Sequence, residues 1–189
     1  MPAPVMWILG GPNGAGKTTL AKTHFRDVLA VGDFLNADEI AAEISPEFPG
    51  RAAMNAGRLL LQRRAAAILD RRSFVTETTL ASESLLRAAK KAKLTGYVIR
   101  LIYLWIADPD LCIQRVAARV TAGGHFIPSD VVIRRYWRGL GLLPRFIDVA
   151  DAAEIISANA SPKPVARKTA EGLTVLRPED WQQISAAFY

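Results

Sequence analysis

Residues 11–18 read Gly-Pro-Asn-Gly-Ala-Gly-Lys-Thr, a full match to the spacing G-x-x-x-x-G-K-[ST]. These residue types can wrap a polyphosphate. Gly11, Gly14 and Gly16 admit backbone conformations that a side chain disfavours, so successive N–H groups can point into one concavity. The apolar run Val5–Leu9 before the loop reads as a strand, and Thr18–Phe25 after it reads as a helix. A helix starting there adds its partial positive charge to the loop. Gly11, Pro12, Asn13, Gly14, Ala15, Gly16, Lys17, Thr18 and Thr19 are the expected phosphate-binding residues, with Lys17 on the β- and γ-phosphates and the Thr18 hydroxyl on Mg²⁺.

Three acidic residues fall at predicted strand ends, the edge where ligands sit in a sheet wound on both faces. Asp38 follows the second strand, where a carboxylate can accept the proton of a hydroxyl attacking a phosphoryl group. It can equally cap a helix beginning at Glu39. Glu77 closes the third strand and could bind substrate hydroxyls, act through water on Mg²⁺, or start a capping turn; Thr78 beside it is a further substrate candidate. Asp108 reads mainly as the start of a helix. Arg115 and Arg119 share a helix face just before Gly123-Gly124, and Arg134 and Arg138 share one just after. A glycine- and proline-containing loop bracketed by arginines suits a lid that brings cations to a phosphoryl group and expels water. Within it, His125 either contacts phosphate or substrate or is merely exposed.

The elements that must position these residues alternate between strand and helix, the pattern of a mostly parallel sheet with helices on both faces. A second strand is predicted over 33–37, a helix over 51–72, a third strand over 73–77 and a helix over 82–94. The longest apolar run, 97–106, reads as a buried central strand. A helix then runs to about Val120, and another, capped by Ser129, fades near Gly141 and Pro144. A strand at 154–158, a hairpin of 165–168 with 173–176 and a C-terminal helix from Pro178 complete one domain, with a lid near 121–138 and a hairpin plus helix at 161–189. His24 reads as structural, and Arg63-Arg64 and Arg71-Arg72 as a solvated helix face.

Half of the 189 residues are hydrophobic, yet no apolar run approaches the ~18 needed to span a bilayer. The N-terminal residues do not have the pattern of a signal peptide, and the single cysteine, Cys112, reads as a buried inert thiol. A cytoplasmic protein is expected. The net charge of +6 comes from 17 Arg and 7 Lys, a bias toward the planar fork that fits phosphate oxygens. Nucleic acid is the rival explanation of that charge, but nothing beyond the charge points to it.

The ordered set of Gly10–Thr19, Asn36-Ala-Asp-Glu-Ile40, Glu77-Thr-Thr-Leu80, Gly123–Pro128 and Ile133–Leu140 resembles the zeta-toxin family of P-loop kinases, in its short single-domain bacterial branch. The resemblance implies a P-loop three-layer fold and ATP-dependent phosphorylation of a hydroxyl in UDP-N-acetylglucosamine or a similar nucleotide sugar. It places Lys17 and Thr18 on ATP·Mg²⁺, Asp38 as catalytic base and Glu77 as substrate-binding acid. The charge-stabilising arginines fall among Arg119, Arg134 and Arg135. It also implies a neutralising antitoxin partner.

Other readings keep the phosphate loop and change the rest. A P-loop kinase could act on a nucleoside, a dinucleotide or an antibiotic. A nucleotide-dependent switch would need a partner or second domain to move, and no guanine-specifying N-K-x-D occurs. A nucleic-acid-binding ATPase would bind with strong salt dependence.

Overall fold

The strand that precedes the phosphate loop is the reference line of the sheet. In the computed structural model the protein is described over residues 2–24, 33–121, 123–124 and 126–188. The elements in chain order are β1 (Val5–Gly10), α1 (Lys17–His24), β2 (Asp33–Leu35), α2 (Ala37–Ile44), α3 (Pro49–Leu69), β3 (Phe74–Thr78) and α4 (Glu83–Leu94). They continue with β4 (Val98–Trp105), α5 (Pro109–Thr121), α6 (Ser129–Val149), β5 (Ala152–Ser157), β6 (Lys163–Thr169), β7 (Gly172–Val175), α7 (Pro178–Ser185) and a closing 3₁₀ turn (Ala186–Phe188).

The sheet order is β2-β3-β1-β4-β5-β6-β7. The first five strands run parallel, and β6 and β7 add an antiparallel hairpin at one edge. Strand alternation divides the residues between the two faces. Met6, Ile8, Phe74, Ile99 and Leu101 pack in the main core with α4 and α6 residues such as Leu86, Leu140 and Leu143. On the other face Leu9 and Val75 meet Ala21 of α1. A mostly parallel sheet with helices on both faces is the P-loop fold expected from the sequence. The sequence also placed the longest apolar strand at the centre, and β4 stands fourth of the seven strands.

Several boundaries differ from those expected. The helix after Pro128 does not fade at Gly141 but runs to Val149 with Pro144 inside it. An interior proline costs about 3 kcal/mol, and the burial of Leu142, Leu143, Phe146 and Ile147 around it offsets that. Ser129 is not a cap; Pro128 holds the cap position and no side-chain hydrogen bond closes the turn. The second strand is only Asp33–Leu35, because Asn36 leaves it to cap α2. Arg64 is not on a solvated face: it is 7% exposed, and burial lowers its pKa. Phe25 and the rest of 25–32 lie outside the described residues.

Candidate active site

Strand register brings the site together. Gly10, the last residue of β1, stands opposite Thr78 of β3 and Tyr103 of β4, so the loop leaves the sheet at the height of Glu77. Leu35 pairs with Thr76, which puts Asn36 beside Glu77. Glu77 is two residues beyond Val75 and therefore on the same face, the face covered by α1.

The loop has the shape its glycines allow. Gly11 has φ +145° and a Cβ there would lie 2.5 Å from the Leu104 carbonyl oxygen, so only glycine fits. Gly14, at φ +78°, packs against Cys112 and Arg115 of α5. Lys17 opens α1 and folds back, its Nζ donating to the Pro12 carbonyl at 2.8 Å. Burial holds this ammonium below the ordinary lysine range, while the Glu77 and Asp38 carboxylates pull the other way and Arg119 adds to the lowering. The charges of Glu77, Asp38 and Arg119 therefore all reach Lys17.

The Thr18 hydroxyl donates to Glu77, 2.9 Å from Oε2 and 3.2 Å from Oε1. Asn36 Nδ2 donates to the same Oε2 at 2.9 Å. Burial pushes the Glu77 carboxyl above its usual range, against the pull of Lys17 and Thr18, and Asp38 and Glu39 push it further. Asp38 is exposed in the first turn of α2. The cap is Asn36, whose Oδ1 accepts Asp38 N–H at 2.7 Å, so capping leaves the Asp38 carboxylate uncommitted. Helix α2 is seated on α3 by Ile40 and Ala41 against Ala52 and Ala56, which holds its polar first turn toward the loop.

A model of the AAA domain family matches residues 6–137. The chain belongs to the AAA domain family. It is 36% identical over 126 residues to an uncharacterized protein of Haemophilus influenzae (strain ATCC 51907 / DSM 11121 / KW20 / Rd), a match covering 67% of this chain and 88% of that protein. The crystal structure of AvrRxo1-ORF1:-ORF2 with ATP superposes at TM-score 0.79 and 17% identity, covering 98% of this chain and 64% of that one. This chain thus spans less than two thirds of that relative. The PezAT chromosomal toxin–antitoxin system of Streptococcus pneumoniae superposes at TM-score 0.68 and 15% identity, over 99% of this chain and 85% of the other.

Within this AAA domain the other expected site residues divide. Asn13 is buried in the loop with an Oδ1 that has no hydrogen-bond partner among the described residues, while Thr19 is exposed. Thr78 falls on the opposite face of β3 from Glu77, and its Oγ1 accepts the Leu80 N–H at 2.9 Å. It is not part of the Glu77 cluster. Arg134 and Arg135 are both exposed on α6, and Arg134 stands 3.9 Å from Asp130. Arg115 is a structural clamp, donating to the Ala158 and Asn159 carbonyls at 2.8 and 2.7 Å. Asp108 accepts the Asp110 N–H at the start of α5. Cys112 is buried, and burial pushes its thiol up to about 11. His125 lies outside the described residues.

The sequence reading passed over three positioning residues of the AAA domain. Asn36 is one. Leu80, fully buried at φ +63°, turns the chain sharply after β3. Gly139 lets α6 lie on that turn, since a Cβ would come 2.5 Å from the Thr79 carbonyl oxygen. The glycines after α5 also have a local role. Gly123, at φ +87°, donates to Val120 O and Gly124 to Arg119 O, closing α5 in a Schellman turn. Among the described residues no helix is long and apolar enough to cross a membrane.

Proposed function

We propose that the protein is an ATP-dependent small-molecule kinase that transfers the γ-phosphate to a hydroxyl. The observation that carries this reading is the convergence of Lys17, Thr18, Glu77 and Asp38 at one sheet edge. ATP fits the loop: Gly11 and Gly14 hold the backbone in the left-handed region, and Lys17 is parked on a carbonyl it can exchange for phosphate oxygen. Mg²⁺ fits as well, with the Thr18 hydroxyl as ligand and Glu77 beside it. The Thr18 hydroxyl is the side-chain group that would hold it, with Glu77 hydrogen-bonded to that hydroxyl. When bound, the cation would neutralise phosphate charge.

The residues then divide the work. The loop amides and Lys17 hold the polyphosphate and its growing negative charge. Asp38 accepts the proton of the attacking hydroxyl as the bond from phosphorus to the ADP oxygen breaks and the new P–O bond forms. Glu77 orients the acceptor and the Thr18 hydroxyl together. Arg119, whose charge reaches Lys17, is the first candidate for stabilising the transferred group. Arg134 and Arg135 supply further charge when the lid, 121–138, closes.

The acceptor we propose is a nucleotide sugar such as UDP-N-acetylglucosamine, supported by the motif order and by the fold shared with PezAT. That neighbour is a toxin–antitoxin system, and we extend to this chain an antitoxin partner, a cytoplasmic setting and a single kinase domain carrying the hairpin and helix of 161–189. Transfer of labelled γ-phosphate from ATP·Mg²⁺ to UDP-N-acetylglucosamine tests the reading. A labelled nucleotide sugar that disappears in Asp38→Asn supports it. ATP hydrolysis without sugar labelling, abolished by Lys17→Ala, would move the acceptor to another hydroxyl compound.

A further inference from the structure

We propose that Asn36 is the positioning residue that holds Asp38 and Glu77 in one frame and decides which Glu77 oxygen faces the ligand. The inference rests on the kinase reading above. Asn36 is 5% exposed, and both ends of its amide are engaged. Oδ1 accepts Asp38 N–H at 2.7 Å and Glu39 N–H at 3.4 Å, fixing the first turn of α2. Nδ2 donates to Glu77 Oε2 at 2.9 Å. The amide is planar, so the angle between the two attachments is set by bonding rather than by rotors.

The same Oε2 accepts the Thr18 hydroxyl at 2.9 Å, whereas among the described residues Oε1 has the longer 3.2 Å contact with that hydroxyl. Oε2 is thereby occupied by the protein and Oε1 is left for the ligand. The chain Asp38 N–H, Asn36 amide, Glu77 carboxylate, Thr18 hydroxyl ties α2, β3 and α1 together at the point where phosphate and acceptor meet. Capping alone does not explain the choice of asparagine. Aspartate or serine caps a helix about as well, but aspartate has no donor at neutral pH, and serine has one short-reaching oxygen where asparagine has two separate atoms for the α2 amides and for Glu77. What asparagine adds is the donor to Glu77.

Asn36→Ser and Asn36→Asp test this: both keep a capping oxygen, aspartate removes the donor, and serine's shorter side chain takes its donor away from Glu77. The probes are hydrolysis of ATP·Mg²⁺, with water as acceptor, and binding of a fluorescent ATP analogue. The expected result is a kcat lower by about 10- to 100-fold, the worth of a hydrogen bond to a charged group. The KM for ATP and the affinity for the analogue stay within about threefold, the signature of a contact used in the transition state. Independently of activity, urea unfolding of Asn36→Ser, Glu77→Ala and the double variant should be non-additive, since both single changes remove the shared Asn36–Glu77 bond. Wild-type kcat in both Asn36 variants, or additive unfolding, would overturn the inference and leave the kinase reading standing. A wild-type protein that neither binds the analogue nor hydrolyses ATP would overturn the kinase reading, and the positioning role with it.

Discussion

The hydroxyl of Thr18 lies 2.9 Å from Oε2 of Glu77, joining residues 59 positions apart in sequence. The bond locks the first turn of α1 to the end of β3. Burial still holds the Glu77 pKa above its usual range, and the Lys17 charge, followed by this bond, opposes that. The hydroxyl keeps its lone pairs while it donates. Thr18 can therefore ligate a cation without releasing Glu77, and the two side chains are poised as one unit.

Lys17→Ala and Asp38→Asn should separate binding from transfer. Lys17 is enclosed by the loop and is expected to carry phosphate charge, so its loss should lower turnover about 10²- to 10³-fold and weaken ATP binding. Asp38 is exposed and is not the cap of α2. Its conversion to asparagine should leave ATP affinity and thermal stability near wild type while phosphoryl transfer falls by roughly two to four powers of ten. Calorimetric titration with a non-hydrolysable ATP analogue, run beside the transfer assay, measures both. A large loss of affinity in Asp38→Asn would remove Asp38 from the role of base.

The arginines should not be equivalent. Arg119 acts electrostatically on Lys17, whereas Arg134 is 66% exposed and pairs only loosely with Asp130 at 3.9 Å. Arg119→Ala is expected to lower kcat by about 10²-fold or more, and Arg134→Ala by less than about threefold. Steady-state kinetics on the two variants decides between them. Equal losses would mean that closure brings both to the phosphoryl group.

Period and motif made much of this molecule legible. The loop, the alternation of strand and helix, and the strand-end positions of Asp38 and Glu77 followed from spacing alone, because each depends on near neighbours. What was not legible depends on contacts between distant residues. Pro144 reads locally as a helix end, yet the buried face around it carries α6 through to Val149. Asn36 reads as part of the second strand, and its role emerges only when Leu35 is registered against Thr76. Arg64 reads as solvated beside Arg63, but it sits on the buried side of α3, on one helix face with Leu60 and Ala67. Arg115 has the spacing of a lid arginine and is instead claimed by the carbonyls after β5.

At the opposite edge of the sheet, Asp151 should make stability depend on pH. Its Oδ2 accepts the Ile99 N–H at 2.8 Å and its Oδ1 meets Lys93 at 2.9 Å. Burial pushes the carboxyl upward, but the Ile99 N–H, Lys93 and Lys168 together outweigh it and hold the pKa below the ordinary aspartate range. The folded state therefore binds fewer protons than the unfolded chain in acid. The stabilisation is present above the unfolded pKa of about 3.9 and is lost as pH falls through the lower folded value. Because this carboxylate is 40% exposed, the gain is screened and stays under about 1 kcal/mol. Asp151→Asn should have a lower urea midpoint than wild type at pH 7, with the gap narrowing as pH falls below the unfolded pKa. A gap that stays constant across that range would mean the charge contributes nothing.

Gly139 offers a test of how far the α6 contact controls the site. A Cβ at this position would lie 2.5 Å from the Thr79 carbonyl oxygen, which is backbone and cannot swing aside. Either α6 moves outward or the turn after β3 moves down. Leu80 is fully buried at φ +63° and leaves that turn little freedom. Its side chain also reaches Gly10 at the root of the phosphate loop, where an added Cβ would come within 3.0 Å of Leu80 Cδ1. A displaced turn would therefore disturb Glu77 and the loop together. Gly139→Ala should cost about 1–3 kcal/mol in urea unfolding, the range for forcing an extra methyl into a packed contact. Alanine raises helix propensity by about 1 kcal/mol, so the observed loss is the clash less that gain. Transfer should fall by more than the stability loss explains, measured at a temperature where the variant is fully folded. If Gly139→Ala is as stable as wild type and transfers at its rate, the close approach of α6 to Thr79 does not position Glu77.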